Sequence, residues 1–334
     1  MHYIRTVQLT GTSSLIISLP KEWAERSGIA KGSKVEVLVE PDGSLRILPI
    51  KEKREIKESV YRVKQKENPA LAATEAISAY IAGYDLIVFC SEKSDKAEWM
   101  DKFKKIIISK TMDTITIEEN EKCITLKVLE SRLEHSMEES VGLMFRHIEY
   151  MFEDLLLGLE RRDESLLRSS AERDDMVDQV YLALTRYISG VLSGKYSMQS
   201  SKIRNLAEAL HYHHGLKAME RIGDHISNIS NNLLFAFKSN CEVHPELSSV
   251  IRNAERIVED AIRNFSKLSQ ERTVELLRRI DDEINRVSSI KINSNECGFF
   301  LISAILSIYR ILSYSSDILE IVLDLKALRE PSSS

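Results

Sequence analysis

Between residues 131 and 328 proline occurs once, at Pro245, and glycine is sparse. Apolar side chains recur there every three to four positions over very long stretches. A chain so poor in breakers, with that period, buries its apolar stripe only as long helices packed side by side. The periodicity predicts six helices, at about 132–160, 164–193, 200–238, 246–268, 270–290 and 297–328. They fall into two halves of about 100 residues with three helices each, the pattern of a diverged repeat.

The first 130 residues follow other rules. Strand-like runs occupy 3–9, 14–19, 35–39 and 45–48, with a short helical turn opened by Pro20 and a turn at Pro41-Asp42-Gly43. Fifty residues of this kind cannot bury much surface alone, so pairing with a second copy is expected. Residues 51–66, KEKREIKESVYRVKQK, combine a charged linker with a first strand. A helix (70–82), a strand (85–90), a helix (96–109) and two strands (113–118, 122–129) complete a small α/β segment with one sheet. It holds no glycine-rich phosphate loop and no catalytic motif.

Composition narrows the class. A length of 334 residues implies two or three domains, and 43% hydrophobic content excludes long-range disorder. The opening MHYIRTVQLT has no apolar signal region. The longest apolar run, 297–309, stops at Arg310, short of the roughly 18 residues of a membrane span. Cys90, Cys123, Cys241 and Cys297 are widely spaced and form no CxxC pair, which predicts reduced, packed thiols in a cytoplasmic protein. Residues 1–66 hold 13 basic against 8 acidic side chains, whereas the rest is acidic, so two kinds of partner are expected.

Asp174 and Asp178 are four residues apart, as are Glu220 and Asp224. That spacing sets each pair on one helix face, where like charges repel unless a positive group sits between them. Four carboxylates on two helices can hold a hard or borderline cation. The alternative is a pair of solvated faces neutralised by Arg173 and Arg221. Glu208-x-x-His211, beside His213 and His214, matches half of a di-iron ligand set, but no second ExxH accompanies it, so a solvated helix face is expected. Trp23, Trp99 and the methionines lie at core-periodic positions, and no motif supports nucleophilic catalysis.

The string from Leu216 to Ile229, LKAMERIGDHISNI, closely resembles the ERxxDHxxN signature of the PhoU family of phosphate-signalling proteins. Asp174-Asp-Met-Val-Asp178 resembles the family's D/ExxxD helix, and residues 153–167 resemble the helix-turn-helix before it. The resemblance covers 131–328 and implies two tandem three-helix bundles with surface metal clusters. It implies Asp174, Asp178, Glu220 and Asp224 as ligands, with His225 and Asn228 beside them. In the second repeat Asp281 heads a motif that ends in Asn285, and Asp317 alone survives of the other motif, which implies a weaker site there. The cofactor expected is a divalent or trivalent ion (iron, zinc, manganese or magnesium).

Residues 3–50 resemble the AbrB/MazE/SpoVT swapped-hairpin family through Arg5-x-Val7, Gly11, the run SLIISLPKEW at 14–23, Gly28-Ile29, Lys31-Gly32 and Val35-x-Val37. That resemblance implies an obligate dimer, with Arg5, Lys21 and Arg46 as DNA-contacting candidates, and leaves dimerisation alone as the other reading. The expected architecture is therefore multidomain and mainly α. A swapped-hairpin head spans 1–50, a small α/β domain 51–130 and a PhoU-like body 131–328. The resemblances imply a cytoplasmic, homodimeric, non-enzymatic regulator of phosphate uptake. Its partners would be a phosphate ABC transporter or that transporter's signalling partner at the membrane surface, and DNA. An AbrB-type transcription regulator with a sensing body, a metal-dependent enzyme and a metal-free adaptor are the alternatives.

Overall fold

The computed structural model describes residues 2–11, 13–39, 43–49, 58–64, 68–90, 96–129, 137–193, 195–196, 203–291 and 296–330. The chain divides into two compact units, Met1–Lys57 and Glu58–Ser334.

The first unit is two antiparallel hairpins. Strands β1 (Gln8–Thr10) and β2 (Ser14–Ile16) form one, and β3 (Val35–Val39) and β4 (Leu45–Pro49) the other. Between them lies the one-and-a-half-turn helix α1 (Lys21–Arg26). Strand β1 is shorter than the sequence suggests, and the expected turn at Pro41-Asp42 lies outside the described residues. None of the unit's described residues is buried; Ile4, Leu9, Leu15 and Val39 are each more than 60% exposed. Two separate two-stranded sheets with their apolar faces in water are a marginal fold.

The second unit opens with a four-stranded sheet of order β5-β6-β8-β7. Strands β5 (Val60–Arg62) and β6 (Leu86–Cys90) are parallel and joined by α2 (Pro69–Ile81). Strands β7 (Thr114–Glu119) and β8 (Cys123–Val128) continue antiparallel after α3 (Lys96–Lys110). Asn68 caps α2 by accepting from the Ala70 amide, with Pro69 at the first helical position, where a missing N–H costs nothing. Phe89, Phe103 and Ile107 are fully buried in this segment's core, with Trp99 stacked on Phe89.

The helical body follows: α4 (Met137–Arg161), α5 (Glu164–Glu172), α6 (Asp174–Leu192), α7 (Leu206–Lys238), α8 (Leu247–Lys267), α9 (Gln270–Ser288) and α10 (Glu296–Arg329). One continuous apolar core runs through all of them, from Val141 to Leu325. The expected helix at 164–193 is two helices. Arg173 ends α5 and begins α6, and the Ala171 carbonyl at the break accepts a hydrogen bond from Ser227 on α7. Helix α10 is long and apolar enough to cross a membrane by length and composition alone, with a mean hydropathy of 1.6 over its apolar window. The helix packs along α7, α8 and α9, as the core helix of a bundle does.

The cysteines also depart from expectation. Cys90 and Cys123, directly opposite on β6 and β8, form a disulfide, as do Cys241 and Cys297. Spacing along the chain hid both, because each pair meets only once the sheet or the bundle is assembled.

Candidate metal centre

Helix α6 presents Asp174 and Asp178 one turn apart, and α7 presents Glu220 and Asp224 likewise. The helices approach closely at Gly223, where an added Cβ would stand 3.2 Å from Asp174 Oδ1 and 3.3 Å from Val177 Cγ1. A side chain there would sit tightly against Asp174 and Val177, which would have to give by a few tenths of an ångström. Carboxylate oxygens of Asp174, Asp178 and Asp224 consequently lie within 4.8 Å of one another. Three oxygens so placed stand at most about 2.8 Å from a common centre, a few tenths wider than calcium–oxygen bonds.

These are not solvated faces. Glu220 is only 8% exposed, and Asp178 is largely covered. Asp174 Oδ1 and Glu220 Oε2 are buried without a hydrogen-bond partner. Burial first, then the Asp178 and Asp224 charges, push the Asp174 carboxyl up to about 7, against the pull of Lys110. Glu220 is also raised, by burial, with Lys217 opposing. A buried Asp174 carboxyl crowded enough to hold a proton near neutrality, beside a Glu220 oxygen that Arg221 Nε reaches only at 3.7 Å, is what a hard cation would relieve, so the donor set fits a metal ion.

Three side chains already supply positive charge. Lys217 Nζ donates to Glu220 Oε1 at 2.6 Å, and Arg221 Nη1 to Asp224 Oδ2 at 2.9 Å. Lys110, from α3, donates to Asp175 Oδ1 at 2.7 Å and to Asp178 Oδ2. Arg173, the expected neutraliser on α6, instead donates to Asp154. The i, i+3 spacing of Lys217 and Glu220 is a signal the sequence carries; nothing near position 110 marks Lys110.

The neighbours predicted for the site are placed as follows. His225 stacks on Tyr314, with ring centroids 5.8 Å apart, its Nδ1 buried and unpartnered, and burial together with Arg310 lowers its pKa. Asn228 is exposed and accepts from Asn232. Asp281 on α9 and Asp317 on α10 are exposed and belong to no such cluster among the described residues. Glu208 is fully buried, held by Arg329 at 2.8 Å, and His211 faces Asp324, so this ExxH pair is structural. In the first unit Arg5 lies over the Tyr3 ring, Lys21 pairs loosely with Glu25 at 3.9 Å, and Arg46 is half-buried on β4.

Comparison with known proteins places two families on this chain. Residues 8–55 match the family described as "Antidote-toxin recognition MazE, bacterial antitoxin", and residues 141–233 match the PhoU domain. Phosphate-specific transport system accessory protein PhoU homologs from two strains of Xylella fastidiosa, Temecula1 and 9a5c, are each 35% identical over 80 residues. That stretch is 24% of this chain and 30–31% of those relatives, so the chain matches under a third of their length. The crystal structure of the phosphate transport system regulatory protein PhoU from Streptococcus pneumoniae superimposes with a TM-score of 0.49 at 16% identity, over 58% of this chain and 94% of that one. The PhoU match runs from α4 to α7 and takes in Asp174, Asp178 and Asp224 of the cluster and Glu220, which stands outside that triad.

Proposed function

From a MazE/AbrB-type domain joined to a distant PhoU domain, we propose a cytoplasmic, non-enzymatic regulator of phosphate uptake that carries a metal ion on its helical body. The observation that carries this reading is the PhoU match falling on the two helices that gather Asp174, Asp178 and Asp224, with Glu220 one turn before Asp224 on α7. These four residues would hold the ion, with His225 and Asn228 alongside; an iron, zinc, manganese or magnesium ion would supply positive charge to the orphaned oxygens. The partner is a phosphate ABC transporter, or its signalling protein, at the membrane surface. A strain lacking the gene, complemented with the parent or with a Glu220→Gln/Asp224→Asn variant, tests this by uptake of labelled phosphate. The parent restores regulated uptake and the variant does not; equal complementation would sink the metal-dependent part of the reading.

The head dimerises the protein, because its exposed apolar hairpins need a partner surface and a second copy supplies a matching one. It also contacts DNA, with Arg5, Lys21 and Arg46 as the phosphate-facing candidates, and so links the body to transcription. Mobility shifts on the gene's own upstream region at several salt concentrations test this. Retention specific to that region as salt rises supports it, and loss uniform across all sequences leaves only the dimerising role.

A further inference from the structure

Lys110 is the one described contact that carries a charge from the α/β segment into the carboxylate cluster. It sits at the last residue of α3 and reaches α6, where its ammonium donates to Asp175 and to Asp178. Burial works against that charge, but the hydrogen bonds to Asp175 and Asp178 outweigh it and hold the ammonium protonated well above neutrality. Asp178 is therefore claimed twice, by a lysine now and by the cation of the proposed metal centre.

The same seam joins the rest of the segment to α6. Gln179 donates to the Ser109 carbonyl at 2.9 Å, beside Lys110. Farther along α6, the buried Arg186 donates to the Tyr80 carbonyl and approaches Asp85 at 3.7 Å. Leu182 packs into the segment's own core. Helix α6 is thus the shared wall: one face carries cluster carboxylates, and the adjoining face holds the α/β segment.

We propose that Lys110 is a tethered cation standing in the carboxylate cluster, so that metal binding there and docking of the α3 end on α6 oppose each other. This rests on the metal reading above. A metal ion beside Asp178 repels an ammonium a few ångströms away in a half-buried site, where water screens little. Occupancy then weakens the Lys110 contacts, and the end of α3 loosens. The coupling is reciprocal: whatever lifts α3 from α6 tightens the metal. The α/β segment would thereby read the occupancy of the bundle through one side chain.

The test uses the full chain, stripped of metal, with Mn2+ as the probe. Lys110 is partly exposed and caps no core, so Lys110→Gln should fold. Titration calorimetry should show Lys110→Gln binding Mn2+ at least tenfold more tightly than the parent, with Lys110→Arg close to the parent. Amide exchange in the last turn of α3 should quicken when Mn2+ is added to the parent, and should already be quick, without a Mn2+ response, in Lys110→Gln. An unchanged or weaker affinity in Lys110→Gln, or slower α3 exchange on adding Mn2+, overturns the proposal while leaving the metal centre in place. Absence of Mn2+ binding in both proteins removes the metal reading and this inference together.

Discussion

Replacing Asp174 by Asn should make the metal-free protein more stable at pH 8, although it removes a candidate ligand. The folded Asp174 carboxyl is raised from 3.8 to about 7, chiefly by burial and then by Asp178 and Asp224. Below 3.8 both the folded and unfolded chains keep the proton, and nothing is lost. Between 3.8 and about 7 the unfolded chain ionises and the folded one does not, so stability falls as pH rises; above 7 the loss is complete. At 1.36 kcal/mol per unit the full shift corresponds to about 4 kcal/mol, and partial hydration of the site reduces the expected gain to about 2–4 kcal/mol. Urea unfolding in chelator, followed by circular dichroism at several pH values, measures the difference between parent and Asp174→Asn. The gain should be largest at pH 8, shrink steadily down to pH 4, and change sign at pH 8 when excess Mn2+ is added, because only the parent keeps the full ligand set. A variant equal to or weaker than the parent at pH 8 without metal would refute the claim that this cluster is electrostatically strained.

Three further outcomes follow from the body's construction. Arg329→Ala leaves the fully buried Glu208 carboxylate without its guanidinium and should cost about 3–5 kcal/mol, read as a large drop in Tm; an unchanged Tm would contradict the pairing. Reducing the Cys241–Cys297 bridge reopens a loop of 56 residues and should cost up to about 4 kcal/mol, measured by unfolding with and without dithiothreitol. Gly215→Ala would bring a Cβ within 2.6 Å of the buried Phe265 ring and should destabilise by about 1–2 kcal/mol despite the better helix propensity of alanine; a stabilised variant would show that the ring yields freely.

Much of this architecture is written in local signals. The bounds of α8 and α9 fall within two residues of those the apolar periodicity gives, whereas α7 begins at Leu206, behind the Asn205 cap and six residues later than expected; the α/β segment follows from alternation and turns. The break at Arg173 was not legible, because it depends on Ser227 reaching a carbonyl 56 residues away. The DxxxD and ExxxD spacings announced which carboxylates share a face, and Gly223 explains why the two faces meet. The cations around them were only partly readable. Arg221 was expected and is there, whereas Arg173 turns to Asp154 and its place is taken by Lys110 from another segment. Such a contact depends on how α3 docks on α6, which no local pattern encodes.

Asp174, Asp178, Glu220 and Asp224 are proposed to hold a metal ion. Elemental analysis of the purified full chain beside its Glu220→Gln/Asp224→Asn variant tests it most directly. Metal should be present in fixed stoichiometry in the parent and lost from the variant. Equal metal content in the two proteins, or none in the parent even after incubation with Mn2+, Fe2+ and Zn2+, would contradict it.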